Sequence, residues 1–151
     1  MAIRFETKPL MLLACGLAFL LAAKSTTSTP AIPNPQLYLT GTEAFEQGPK
    51  TFIRYRYDVF NKDQYPAAMF AAAPALPPCG LNTKASRTWV DVFDSKGKRL
   101  NRFCAFGSPN DLGSIWFALE QGVVPPSYVF IVLTDRKTSA KYKSNLADTT
   151  S

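Results

Sequence analysis

Three cysteines, eleven carboxylates and no histidine leave this chain of 151 residues few ways to do chemistry. Without imidazole there is no Ser-His-Asp or Cys-His arrangement and no histidine metal ligand. Nor is there a side chain whose ordinary pKa lies near neutrality. A thiolate at Cys79 or Cys104 would lack the base that usually activates it. Ser95-Lys96-Gly97-Lys98 has the Ser-x-x-Lys spacing of some serine hydrolases. That chemistry needs the serine at the start of a buried helix. Here the string separates two strand-like runs and reads as a solvated hairpin tip. Asp91 and Asp94 stand three apart on a strand, so they face opposite ways and cannot share a proton. No glycine-rich phosphate loop, Cys/His metal spacing or calcium loop is present. The expectation is a protein that is not an enzyme and uses no cofactor and no metal.

The cysteines speak to compartment instead. Residues Leu10 to Ala23 form a short uncharged apolar run behind Arg4 and Lys8. It falls short of the roughly 20 residues a membrane span needs. A basic start, a short apolar centre and small residues at its end describe a secretory signal peptide over residues 1–24. Leu12-Leu13-Ala14-Cys15 also resembles a lipoprotein box, but the apolar run continues past Cys15, so a lipid anchor there is the lesser expectation. Cleavage removes Cys15 and leaves an even pair, Cys79 and Cys104, which in an exported chain reads as one disulfide. Cleavage after Ala23 would also remove two cations, Arg4 and Lys8, and one carboxylate, Glu6, taking the formal charge from +6 to +5. The sequence thus predicts an exported protein, periplasmic or extracellular, with no membrane span in the mature chain.

Residues 25–35 are rich in Ser, Thr and Pro and read as a linker. From residue 36 to 147 the pattern is that of short strands. Gln36 to Phe45 begins with alternation. In Thr51 to Asn61, Ile53, Tyr55, Tyr57 and Val59 share one face, and Arg54, Arg56 and Asp58 the other, as in an antiparallel sheet with one wet side. Arg87–Phe93 and Arg99–Phe106 flank a turn at Asp94–Lys98 in which Gly97 suits a positive φ. Ser108-Pro109-Asn110-Asp111 is a helix-start signature, predicting one helical turn before a strand from Ser114 to Leu119. Pro125-Pro126 then introduces Ser127–Asp135, a strand apolar on both faces. It is followed by a turn at Arg136–Thr138 and a more polar return from Ser139 to Leu146. Residues 148–151 are left as a tail. The segment from Tyr65 to Pro78 is uncharged and rich in Ala and Pro, and a loop of that length inside a domain is functional or packed down. Many short strands, little helix and one cystine predict an all-β antiparallel sandwich.

The run Leu119-x-x-Gly122…Pro126-x-Tyr128-x-Phe130-x-Val132, ending in Tyr142-x-Ser144-Asn145, resembles the last strands of a fibronectin type III or related immunoglobulin-like domain. The likeness covers the last third of the chain. It implies an immunoglobulin/fibronectin III-like sandwich serving as an adhesive or spacer module. It also implies a tyrosine corner at Tyr128.

An inward Tyr128 brings Phe130 and Val132 with it and sends Val129, Ile131 and Leu133 to the other face. If Val90 and Val92 point inward, Trp89 and Phe93 join those three in an apolar patch. Two outcomes follow. The uncharged segment covers the patch, anchored by Met69, Phe70 and Leu76, or the patch docks a partner or a second copy of the chain. The basic residues fall into two groups, Lys96, Lys98, Arg99, Arg102 and Arg136, Lys137, Lys141, Lys143. Their hairpin turns should sit at opposite ends of the sandwich, which denies nucleic acid one continuous stripe. The functional expectation is an exported binding or structural module with a protein or cell-envelope partner. The alternative is a protein inhibitor presenting the Ala67–Pro78 loop.

Overall fold

The computed structural model describes residues 31–77, 79 and 84–150. The expected signal peptide, the lipoprotein box at Cys15 and the first part of the linker lie outside them. No helix among the described residues is long and apolar enough to cross a membrane.

Two antiparallel sheets face each other across one core. The first joins β1 (Leu37–Gln47), β2 (Lys50–Val59) and β5 (Ile115–Glu120), in the order β1-β2-β5. The second joins β3 (Thr88–Asp94), β4 (Arg99–Phe103), β6 (Tyr128–Asp135) and β7 (Lys141–Lys143), in the order β4-β3-β6-β7. A short β8 (Ala147–Asp148) pairs with the start of β6. Each element answers to its residues. On β2, Tyr55, Tyr57 and Val59 are buried while Arg54 and Arg56 lie on the opposite face. The β3–β4 turn closes through Gly97 at φ 83°, with the Asp94 carboxylate accepting from the N–H groups of Lys96 and Lys98. Before β5, Pro109–Ser114 forms a 3-10 turn. The Asp111 carboxylate reaches back to the N–H groups of Gly107 and Ser108, as the helix-start signature predicts.

The core takes Tyr57, Val59, Ile115 and Phe117 from the first sheet and Val90, Val92, Val129, Ile131 and Leu133 from the second. Tyr55 stacks on Phe117 at 4.8 Å. Burial, then the nearness of Tyr55 and Asp148, pushes the Tyr57 hydroxyl pKa up. Its O–H reaches the carbonyl of Asp148 at 3.3 Å. The rim between β4 and β5 is closed by Phe103 against Phe106 and Trp116, and by the Asn101 amide donating to the Trp116 carbonyl.

The faces of β6 are the reverse of the expectation. Val129, Ile131 and Leu133 are 0% exposed, whereas Tyr128 is 44% exposed and makes no corner. Register explains it. Ile131 lies opposite Val92, and Leu133 opposite Val90, so all four point the same way. An all-aliphatic row fills the space between sheets without burying a hydroxyl, while Tyr128 keeps its O–H in water. Trp89 and Phe93 do lie on the outer face, as read, but their companions there are Phe130 and Val132.

The Tyr65–Pro77 segment packs down with its middle in the core. Tyr65, Met69 and Phe70 are buried in the central cluster, and Leu76 is partly exposed. Thr88 Oγ1 donates to the Met69 carbonyl at 2.6 Å, and Ala72 bridges to Ser86 beside β3. Met69 and Phe70 therefore pack beneath β3, in the same cluster as Val129, Ile131 and Leu133, instead of over an outer patch. The end of the expected linker is docked as well. Tyr65 donates to the Pro33 carbonyl and Asn61 to that of Asn34. At the other end Thr149 is buried, its hydroxyl donating to the Pro126 carbonyl.

β7 is shorter than the predicted return strand because Asn145 leaves it to cap β1. Its amide accepts from the Leu37 N–H and donates to the Leu37 carbonyl, in place of a neighbouring strand. Leu146 is exposed as a result.

Cys79 and Cys104 form the disulfide, closing 25 residues and tying the segment to the end of β4. On chain entropy such a loop contributes about 3.5 kcal/mol. Reduction should lower stability by about 3 kcal/mol, read by urea unfolding with and without reductant. An unchanged midpoint would show that the bridge restrains nothing the fold does not already hold.

Candidate functional site

The outer face of the larger sheet gathers most of the chemistry that the core leaves outside. One row crosses β4, β3, β6 and β7. Arg102 on β4 lies opposite Asp91 on β3, Asp91 opposite Val132 on β6, and Val132 opposite Lys143 on β7. To one side of this row stand Phe93 opposite Phe130, with Arg99 beside Phe93. To the other side stand Trp89, Thr134 and Lys141.

Cations sit on the aromatic rings. Arg102 and Arg136 flank the Trp89 ring, their guanidinium carbons 4.8 and 4.6 Å from its centre. Lys143 Nζ lies 4.1 Å over Phe130, which stacks on Phe93 at 5.4 Å. Each such contact contributes about 0.5–1 kcal/mol where water reaches it. Arg102 also grips Asp91 with two hydrogen bonds, 2.6 and 2.8 Å, which raise the pKa of the guanidinium.

Among the described residues Arg136 has no carboxylate partner. It donates to the backbone carbonyls of Ser86, at 2.7 Å, and Pro77, and burial lowers its pKa. It pins the end of the uncharged segment to this face. Below it, Arg87 makes a two-pronged pair with Asp135, whose carboxylate is held down to about 2, chiefly by that hydrogen bond.

The two basic groups thus meet, against the expectation. The turns at Asp94–Lys98 and Arg136–Thr138 do lie at opposite ends of the sheet. The strands between them carry Arg102 and Lys143 into a single row. Lys96 and Lys98 stay at the hairpin tip. Among the described residues this face holds five cations, Arg99, Arg102, Arg136, Lys141 and Lys143, against two carboxylates, Asp91 beside Arg102 and the exposed Asp148 on β8, opposite the outward Tyr128. The outer face of the first sheet is different, since each of its cations has a carboxylate. Glu43 accepts from Arg54 and Arg56 at 2.6 and 3.1 Å, and Lys50 meets Glu120 at 2.8 Å. Arg54 is further wedged between Phe45 and Trp116.

Of the residues the sequence singled out, the structure joins Cys79 to Cys104 and sets Trp89 and Phe93 on the outer face. Met69, Phe70, Val129, Ile131 and Leu133 are in the core, out of reach of a partner on the folded chain. The sequence named Arg102, Arg136 and Lys143 but kept them in two separate basic groups, and it turned Phe130 inward. Counting back from the Asp94–Lys98 hairpin could have placed Arg102 beside Asp91. For Arg136, in a turn, no local signal exists.

Among the described residues no group of three or more Cys, Asp or Glu is placed to hold a metal ion. A groove of about 430 Å³ runs between the β3–β4 hairpin and the Val123–Ser127 loop and is lined by none of these five cations. No protein-family model, curated protein or solved structure matches the chain.

Proposed function

We propose that this chain is an exported, non-enzymatic binding module on an immunoglobulin/fibronectin III-like sandwich, engaging a cell-envelope or extracellular partner through the outer face of β4-β3-β6-β7. The observation that carries the reading is the difference between the two outer faces. A face that only needs solubility can pair its charges, as the first sheet does. The second has Arg99 share Asp91 with Arg102, at 3.8 Å, and leaves Lys141 and Lys143 without a carboxylate among the described residues, around a floor of aromatic rings. Such a surface holds an anionic partner and costs stability without one.

Further support comes from strand order. Grouping strands one, two and five against four, three, six and seven is the arrangement of a fibronectin-type sandwich. The disulfide supports export, because such bonds persist in oxidising compartments. The inhibitor reading has less behind it. The loop from Ala71 to Pro77 is exposed at Ala71, Ala72, Pro74 and Ala75, but the carbonyls of Ala71, Ala73 and Pro77 are already engaged.

Lysine footprinting of the full chain in envelope extract tests the proposal. Lys141 and Lys143 should lose reactivity toward an acetylating reagent severalfold, while Lys50 keeps its own. Unchanged reactivity at Lys141 and Lys143 would overturn the choice of face. Protection confined to the Ala71–Pro77 backbone against proteolysis would favour the inhibitor.

A further inference from the structure

We infer that the ligand of this face is an extended polyol-phosphate or sugar-phosphate chain, an envelope polymer linked by phosphodiesters. The inference rests on the binding-module reading and narrows it.

Shape comes first. None of the grooves described in the molecule is lined by the five cations. A flat sheet cannot enclose a small anion, so affinity must come from many weak contacts along something long. Spacing comes second. Lys141 and Lys143, two residues apart on one strand, stand on the order of 7 Å apart, and β4 lies on the order of 15 Å from β7 across the sheet. A chain crossing the sheet from Arg99 over Phe93 and Phe130 to Lys143 meets a cation at both ends, runs beside Asp91 instead of over it, and has Lys141 further along β7.

The aromatic floor narrows the class. Phe93 and Phe130 lie between Arg99 and Lys143, so the ligand must carry carbon between its charges. A polyol or sugar unit does this, and its C–H groups can rest on the ring edges. Single-stranded nucleic acid needs open ring faces on which bases stack. Each of the three rings here has at least one face taken. Arg102 and Arg136 cover Trp89, Lys143 covers Phe130, and Phe93 and Phe130 cover each other. A bilayer would call for an apolar side chain standing proud of the cations, whereas these rings are half-buried beneath them.

The test uses the full chain with its disulfide intact and poly(glycerol phosphate) as probe. Binding should weaken roughly tenfold between about 50 and about 200 mM salt, as ions released from a few phosphates require. The combined variant Arg99→Gln, Lys141→Gln, Lys143→Gln should bind at least about tenfold more weakly, with a flatter salt dependence. These side chains are exposed or half-exposed and leave the Arg102–Asp91 and Arg136 contacts in place. Lys50→Gln, on the other face, should bind as the parent does. Should the triple variant fail to fold, Lys141→Glu alone carries the test and should cost severalfold in affinity. Three results would overturn the inference: no binding at low salt, unchanged affinity in the variants, or tighter binding to polyglutamate, single-stranded oligonucleotide or anionic vesicles than to the polymer. Absence of polymer binding with Lys141 and Lys143 still protected in envelope extract would sink the ligand class and keep the binding face. Absence of both would sink the two together.

Discussion

Ile131→Ala should lower folding stability by about 3–4 kcal/mol, whereas Phe130→Ala, one position away, should cost only about 1–2 kcal/mol. Ile131 is fully buried between the sheets, opposite Val92 and among Val129, Leu133 and Phe117. Truncation removes apolar area and leaves a cavity that two hydrogen-bonded sheets cannot collapse to fill. Phe130 loses a stack on Phe93 and the contact with Lys143, both at the water's edge. Urea unfolding of the two variants, with slopes compared to exclude a change in the unfolded chain, decides between the faces. A larger loss for Phe130→Ala would restore the arrangement in which Tyr128, Phe130 and Val132 point inward.

That pair of residues also marks where reading the sequence stopped working. β2 was legible because its alternation sets Tyr55, Tyr57 and Val59 against Arg54, Arg56 and Asp58, and only one choice of face keeps the arginines wet. Gly97 and Asp94 announced their hairpin, and Ser108-Pro109 with Asp111 announced the turn before β5. The cystine followed from compartment and count.

β6 was different because both of its faces are apolar. Periodicity cannot choose between them, and the resemblance at Tyr128 points to the opposite face. Only the register against Val90 and Val92, a property of two strands at once, settles it. The cationic face was hidden for a related reason. Arg102 and Lys143 are 41 positions apart in the numbering. They share a row because β3 and β6 are neighbours, and strand order is not written in any single run of residues. Arg136 was the least legible, since its partners are backbone carbonyls supplied by a segment with no regular structure.

Asp135 should show the largest electrostatic effect in the molecule. Asp135→Ala is expected to cost about 3–5 kcal/mol, the range for breaking a buried pair from one side. The carboxylate is almost wholly buried and accepts from Arg87 twice, from Thr138 Oγ1 and from the Lys137 N–H. Its loss strands the Arg87 guanidinium. It also releases the turn that carries Arg136, and with it the grip on Ser86 and Pro77.

The same contacts set a pH dependence. The Arg87 hydrogen bond, with Thr138 and Lys137 adding to it, lowers the carboxyl pKa from 3.8 to about 2 in the folded protein. A depressed folded pKa means that the unfolded chain binds the proton first as acid is added. The stabilisation, about 2 kcal/mol on this linkage, is therefore fully present above about pH 5. It falls away through the unfolded pKa and is gone below about pH 2. Asp135→Asn removes the charge while keeping the shape. Its stability deficit against the parent should be constant from neutral pH to about pH 5 and should narrow steadily toward about pH 2. A deficit that stays the same across that range would show that Asp135 acts through packing alone and that the pair with Arg87 contributes no net electrostatic stability.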